Sequence, residues 1–332
     1  MPVFSRVFFT LTCAFLTGSA AATTQTPTVP DAQQAFAAEQ AREFGLDEKT
    51  VLATLAKAQY QQSIIDAMTR PAEAKPWKAY RPIFITDARI RSGIEFYRAN
   101  RELIERISTQ FHVAPEIIVA IIGIETSYGK NIGKYRVLDA LATLSFHYPP
   151  REKFFRGELS QLLRLDADRL AYPVEELKGS YAGAMGWGQF MPTSIAKYAQ
   201  DYDGDGRIDL WNSVPDILAS VANYFQSFGW EDAGIVAVRV EPAAGAREIT
   251  PANSEPVYPL EQLSAWGYAT TLDLDPQRPA TLLKLEAEAG TEYWVTFKNF
   301  HVITRYNKSP LYAMAVMQLA ESIAAGVSEP VP

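Results

Sequence analysis

Residues 119–130 read VAIIGIETSYGK, and the acid within them decides how the rest of the chain is understood. Glu125 follows seven residues, Ile118 to Ile124, none of which is polar. Pro115 stands where a helix favours proline, in the first turn, and Gly129 is placed to end that helix. A helix apolar nearly all round belongs in a protein core. A carboxylate in its last turn loses hydration, and its charged form suffers most. Two explanations fit. An arginine such as Arg136 or Arg151 pairs with Glu125 and closes a buried network. Otherwise the apolar surroundings raise its pKa, so that it keeps a proton near neutrality and serves as a general acid.

Working outward, the N-terminal side reads as further helices. A helical pattern runs from Ala35 to Met68, with a break at Gly45-Leu46-Asp47. The proline-rich RPAEAKPWKAYRP, residues 70–82, predicts an extended connection. Asp87 then reads as the N-cap of one long helix to about Gln110, because Ile90, Ile94, Tyr97, Ile104, Ile107 and Phe111 recur at three- and four-residue steps. C-terminal to Glu125 the pattern predicts helices at about 136–146, 151–167, 192–200 and 214–227. Between them lies KGSYAGAMGWGQFMP, residues 178–192, with four glycines. Such a loop between helices suits a ligand cleft, because glycine lets backbone approach closely.

Beyond Trp230 the texture changes. IVAVRV, TLLKLEA, EYWVTF and HVITRY alternate or run in β-branched and aromatic residues, with Pro, Gly and Asn between them. They predict a small β-containing subdomain over about 235–305. Ser309-Pro310 caps a final helix to about Ala325. The expected fold is mainly α (α+β): a helical region at 35–234, the β-containing insertion, and a C-terminal helix at 306–326 that packs back on the helical region.

The ends and the composition bound location and partners. MPVFSRVFFTLTCAFLTGSAAA has a basic residue, an apolar stretch from Val7 to Leu16 and a small-residue end. It reads as a secretory signal over 1–22. The apolar run is too short to span a membrane. Residues 23–34 read as a flexible leader. Cys13, the only cysteine, lies within the apolar run, behind the poor lipobox Thr10-Leu11-Thr12. A periplasmic protein is expected in preference to an outer-membrane lipoprotein, with no transmembrane segment. The net charge of −7 gives no basic footprint for nucleic acid. His112, His147 and His301 lack metal-ligand spacing.

Several long stretches in one order resemble the membrane-bound lytic transglycosylase B family, lysozyme-like enzymes that cleave peptidoglycan. They are VAPEIIVAIIGIETSYGKNIG, LDALATLSFHYPPREKFFRGEL, LKGSYAGAMGWGQFMPTS, YDGDGRIDLW, SVANYFQSFGW and FHVITRYNKSPLYAMAV, and the resemblance runs from about Ala35 to Ala325. It implies a lysozyme-like helical core with the glycine-rich loop in its cleft. It implies cleavage of the β-1,4 bond between N-acetylmuramic acid and N-acetylglucosamine, with 1,6-anhydromuramic ends and Glu125 as the sole acid/base. Ordinary glycosidases use two carboxylates, so a hydrolytic muramidase is the alternative enzyme, and a peptidoglycan-binding protein without turnover the alternative class.

The resemblance also assigns a binding cleft. Ser180 and Gln189 match polar groups that contact sugar, although both could instead satisfy the loop backbone. Tyr80, Phe190, Tyr224, Tyr306 and Tyr312 match cleft aromatics, although each tyrosine taken singly reads as core rather than cleft. Arg151 matches an arginine that could hold a carboxylate. Peptidoglycan strands are the expected partner, other cell-wall enzymes a further candidate. No catalytic cofactor is expected.

DYDGDGRIDLWNSVPD, residues 201–216, carries a second chemistry. Asp201, Asp203, Asp205 and Gly206 occupy EF-hand positions one, three, five and six, and Arg207 would offer its carbonyl at seven. Asn212 stands at position twelve in place of a bidentate Glu, and the family pattern points to Asp216 as the later ligand. Ser213-x-x-Asp216 also reads as a capping box. One structural Ca²⁺ is expected.

Overall fold

The computed structural model describes residues 28–70, 75–165 and 169–328. Residues 1–22, expected to be a secretory signal, and Cys13 lie outside them. The chain begins with α1 (Val29–Phe44), α2 (Glu48–Leu55), α3 (Gln62–Thr69), α4 (Trp77–Phe84), α5 (Asp87–Ala99), α6 (Arg101–Phe111) and α7 (Pro115–Thr126). A two-residue strand, β1 (Tyr135–Arg136), leads into α8 (Val137–His147) and α9 (Glu152–Leu163). After β2 (Lys178–Gly179) and the glycine-rich loop come α10 (Pro192–Tyr198) and α11 (Val214–Ser227). The β-rich part holds β3 (Ala237–Val240), β4 (Tyr258–Pro259), α12 (Leu260–Ala265), β5 (Pro279–Ala287) and β6 (Gly290–Thr296). The chain ends in α13 (Lys298–Tyr306) and α14 (Pro310–Ser328).

Four elements differ from the sequence expectations, each for a local reason. Residues from Val29 form a helix instead of a flexible leader, because Thr28 and Asp31 close a capping box around its first turn. The stretch at 77–84 is helical, although it contains Pro82, with Pro76 outside its first turn and Trp77 fully buried. The long helix has its N-cap one residue earlier, at Thr86, and breaks at Asn100, which leaves helical geometry and donates its side-chain amide to Phe96 O at 2.9 Å. HVITRY is not a strand. Phe300, Ile303 and Thr304 are buried at helical spacing, and that burial overrides the β-branched propensity of the run.

Two helical cores meet at the glycine-rich loop. In one, α7 is buried along nearly its whole length, and α14 packs beside it. By length and apolarity α14 could cross a membrane, but Tyr312 to Met317, Leu319, Ala320 and Ile323 are buried in this core. Gly93 and Gly123 let the Tyr128 hydroxyl wedge between α5 and α7, where an added Cβ would meet it at 2.4 and 2.5 Å. The second core joins α8 and α9 to α1–α3 and includes Met185 and Phe190 of the loop. Tyr306 packs against both cores. A third core lies in the antiparallel sheet β3-β6-β5-β4, in which Leu283 opposes Trp294 and Thr281 opposes Thr296.

Candidate active site

Glu125 stands one residue before the end of α7, where the helix stops abruptly. Ser127, Tyr128 and Gly129 have φ of 52°, 60° and 80°, three left-handed residues in succession. Only the last is a glycine, so the turn is strained, and strain of this kind persists only where surrounding packing holds it. Two features hold it here. The Tyr128 ring is buried, with its hydroxyl 3.3 Å from Arg89 O. Trp187 of the glycine-rich loop fills the space beside Gly129, where a Cβ added to that glycine would meet the indole at 2.2 Å.

The next residue, Thr126, ties the helix end to that loop. Its hydroxyl donates to Trp187 O at 3.0 Å and accepts from Gly129 N at 3.1 Å. Trp187 in turn donates its indole N–H to Trp211 O at 2.8 Å. Thr126 and Trp187 are the residues that sequence reasoning missed. The only signal was position, since Thr126 directly follows the acid and Trp187 is the one tryptophan in the glycine-rich loop.

No arginine or lysine among the described residues pairs with Glu125. Arg136 pairs with Asp139 at 3.5 Å and donates to the carbonyls of Glu175 and Lys57. Arg151 is exposed and lies over the Phe154 and Phe155 rings at 4.6 and 5.0 Å. The Glu125 carboxyl instead accepts the Tyr312 hydroxyl at 2.6 Å. Burial raises its pKa to about 7, against the smaller lowering effect of the Tyr312 hydrogen bond. Among the described residues no second carboxylate acts on it.

Three of the expected aromatics surround this acid. Burial first, and then the Glu125 charge, push the phenols of Tyr80, Tyr306 and Tyr312 above their usual range. Tyr306 also donates to Gly188 O at 2.5 Å, fixing the glycine-rich loop against α13. Phe190 and Tyr224 are placed differently from the expectation. They are only 3% and 7% exposed, and they pack behind Tyr306 at ring distances of 5.9 and 4.7 Å. They support Tyr306 as core residues.

Ser180 and Gln189 both hold backbone. Ser180 Oγ accepts from Ala182 N at 3.3 Å and Ala184 N at 3.1 Å. Gln189 has a left-handed φ of 52°, and its amide nitrogen donates to Ile132 O at 3.2 Å and Gly186 O at 2.9 Å. Its Oε1 has no partner among the described residues, which leaves one acceptor for a ligand. Loop satisfaction and ligand contact, alternatives on the sequence alone, are therefore compatible at Gln189.

In the 201–216 loop, ligand oxygens of Asp201, Asp203 and Asp205 lie within 4.8 Å of one another. Gly204 and Gly206 take positive φ between and after them. Three converging carboxylates of this kind suit a hard divalent cation. Asp216 departs from the expectation. It is buried, its oxygens accept from Tyr202 N at 2.8 Å and Asp209 N at 2.9 Å, and it is not one of the three converging acids. The capping box is also one-sided: Ser213 Oγ accepts from Asp216 N, but donates to Asp203 at 2.7 Å.

The family of Transglycosylase SLT domains matches residues 29–321. The chain belongs to that family. It is 41% identical over 305 residues to membrane-bound lytic murein transglycosylase B of Escherichia coli K12, covering 89% of this chain and 83% of that protein. It superposes on soluble lytic transglycosylase SltB1 of Pseudomonas aeruginosa with a TM-score of 0.83 and 44% identity, over 89% and 98% of the two chains. The Escherichia coli lytic transglycosylase Slt35 in complex with calcium gives 0.80 and 39%, over 90% and 94%. The helix-rich architecture is thus the lysozyme-like fold of lytic transglycosylases.

The raised pKa has a consequence for stability. Glu125 holds its proton in the folded chain up to about pH 7 but releases it near 4.5 when unfolded. Its favourable contribution is therefore complete below pH 4.5 and is lost as pH rises to 7. Glu125→Gln removes that loss. The variant should match the parent at pH 4 and exceed it at pH 8 by at most about 3 kcal/mol. Denaturant melts at both pH values check this, and a variant less stable at pH 8 would contradict it.

Proposed function

We propose that this lytic murein transglycosylase cleaves the bond between N-acetylmuramic acid and N-acetylglucosamine without water, with Glu125 as its sole acid and base. The supporting observation is a carboxyl poised near pH 7, hydrogen-bonded to a tyrosine and, among the described residues, free of any second acid. As the acid, Glu125 protonates the glycosidic oxygen while the bond to the muramoyl anomeric carbon breaks. As the carboxylate, it takes the proton of the muramoyl 6-hydroxyl, whose oxygen closes on that carbon to form the 1,6-anhydro ring. One group must give and then accept a proton, which a pKa near working pH favours in both directions.

Tyr80 and Tyr306 flank the acid and offer ring faces to the sugars; Tyr80 adds a hydroxyl, while that of Tyr306 is held by Gly188 O. The free Oε1 of Gln189 accepts from an acetamido or hydroxyl group. Ser180 acts chiefly by shaping the loop, and the exposed guanidinium of Arg151 is available to a peptide carboxylate. Cleavage of peptidoglycan places the chain outside the cytoplasm, in keeping with residues 1–22 as a signal sequence.

Calcium fits Asp201, Asp203 and Asp205, with the Arg207 carbonyl as a further ligand, and neutralises three acids that otherwise repel. Asp216 braces the loop from beneath. This site contributes stability and no chemical step.

Mass spectrometry of digested peptidoglycan should find anhydromuramic ends with the parent and a rate loss above ~10²-fold for Glu125→Gln. Reducing ends would show a hydrolase, and near-native turnover of the variant would make Glu125 structural. The first step needs the protonated acid, so kcat/KM should fall as pH rises above about 7. Tyr312 lowers that pKa by donating to the carboxylate, so Tyr312→Phe should move the fall to higher pH. A fall at lower pH would contradict the assignment.

Chelation should lower the melting temperature of the parent and leave Asp203→Ala/Asp205→Ala unchanged. Identical parent melts in calcium and in chelator would exclude a stabilising ion.

A further inference from the structure

Arg89 lies in the first turn of α5, half-buried between two segments of the site. Among the described residues no carboxylate pairs with it, and its guanidinium reaches only neutral oxygens. Nη1 donates to Ile83 O at 2.7 Å and to Phe84 O at 2.8 Å, and Nη2 donates to Ser127 Oγ at 3.2 Å. The Arg89 carbonyl accepts the Tyr128 hydroxyl at 3.3 Å. A partly buried cation without a counter-charge loses hydration, so this placement calls for a reason.

Both ends of the bridge need such a partner. The helix α4 has only eight residues, too few to be stable on its own. Pro82 brings no N–H to it, and the carbonyls of its last residues, Ile83 and Phe84, have no helical donor. A cation there also suits the negative end of the helix dipole. At the other end, Ser127 is the C-cap of α7 and the first left-handed residue after Glu125. A planar guanidinium meets three acceptors in fixed directions, whereas an ammonium is a single point charge. The contact also runs through aromatic rings. Arg89 lies 5.4 Å over the Phe84 ring, and that ring lies 5.0 Å from the ring of Tyr80.

We propose that Arg89 is a positioning residue for the reaction, clamping the end of α4 to the turn after Glu125 and so setting the Tyr80 ring against the acid. This role rests on those given above to Glu125 and Tyr80. Arg89 acts through geometry, because burial and Tyr312 set the Glu125 pKa. Without the clamp, α4 is still anchored at its start by the buried Trp77, but the turn that carries Tyr80 is free to shift.

Initial rates on peptidoglycan, per folded molecule, compare Arg89→Lys with Arg91→Lys, an exposed control on the same helix. Arg89→Lys should lower kcat/KM at least about tenfold, since small displacements of reacting groups are costly. Arg91→Lys should match the parent, and an equal loss in both would overturn the proposal. The pH at which kcat/KM falls should not move in Arg89→Lys, because no charge is lost. In a Tyr80→Ala background the same change should cost clearly less, as expected of coupled residues, and additive losses would overturn the proposal. Fluorotyrosine labelling gives a second readout that needs no turnover. The Tyr80 signal, assigned by its absence in Tyr80→Phe, should move in Arg89→Lys, while that of Tyr268 in the β-rich part should not. An unmoved Tyr80 signal would overturn the clamp itself. A displaced signal with a parent rate would remove Tyr80 from the sugar site, and the positioning role with it. Ser127→Ala removes one arm of the bridge and leaves the other, so it covers an Arg89 variant that fails to fold. It should show a smaller loss in the same direction, and a parent rate would again overturn the proposal.

Discussion

A carboxyl group held in apolar surroundings, with a tyrosine hydroxyl as its only partner among the described residues, is the constraint on which the rest of this structure depends. The apolar run of α7 places Glu125 where its charge is poorly solvated, and the single hydrogen bond from Tyr312 offsets only part of that cost. A cationic partner would have depressed the pKa and fixed the acid as a structural ion pair. A second carboxylate would have tied its titration to another group. Among the described residues both are left out, which supports the proposal that one residue gives and accepts the proton.

The position of that acid is secured by long-range contacts. Tyr312 comes from α14, Tyr306 from α13, and both helices lie beyond the inserted sheet in sequence. Thr126 grips the glycine-rich loop at Trp187 O, while Tyr306 grips it at Gly188 O. The same loop therefore meets the end of α7 on one side and the C-terminal segment on the other. Loop residues with backbone held at several points suit a cleft that must keep its shape while binding an extended polymer. The left-handed run at 127–129 lies at the centre of these contacts, which is where strained backbone is expected to be sustained.

Much of this was legible in the sequence, but unevenly. The apolar run before Glu125 marked a buried helix, and the separate motifs together identified the family. Helix ends were less readable where a side chain changed the outcome, as Thr86 and Asn100 did around α5. HVITRY misled because β-branched residues dominate it, whereas the buried positions Phe300, Ile303 and Thr304 repeat with helical spacing. The aromatics matched to the cleft divided into two layers, because residue type cannot distinguish Tyr306 beside the acid from Tyr224 behind it. Asp216 was legible as an important acid, but its backbone partners at Tyr202 and Asp209 depend on how the loop closes.

The most direct test is the titration of Glu125 itself. In protein labelled with ¹³C at glutamate side chains, the Glu125 carboxyl resonance can be assigned by its absence in Glu125→Gln and followed across the acid, neutral and mildly alkaline range. A midpoint near 7 is the predicted result. A midpoint at or below 4.5, the ordinary glutamate value, would show that the apolar helix does not hold the proton, and would contradict the central claim.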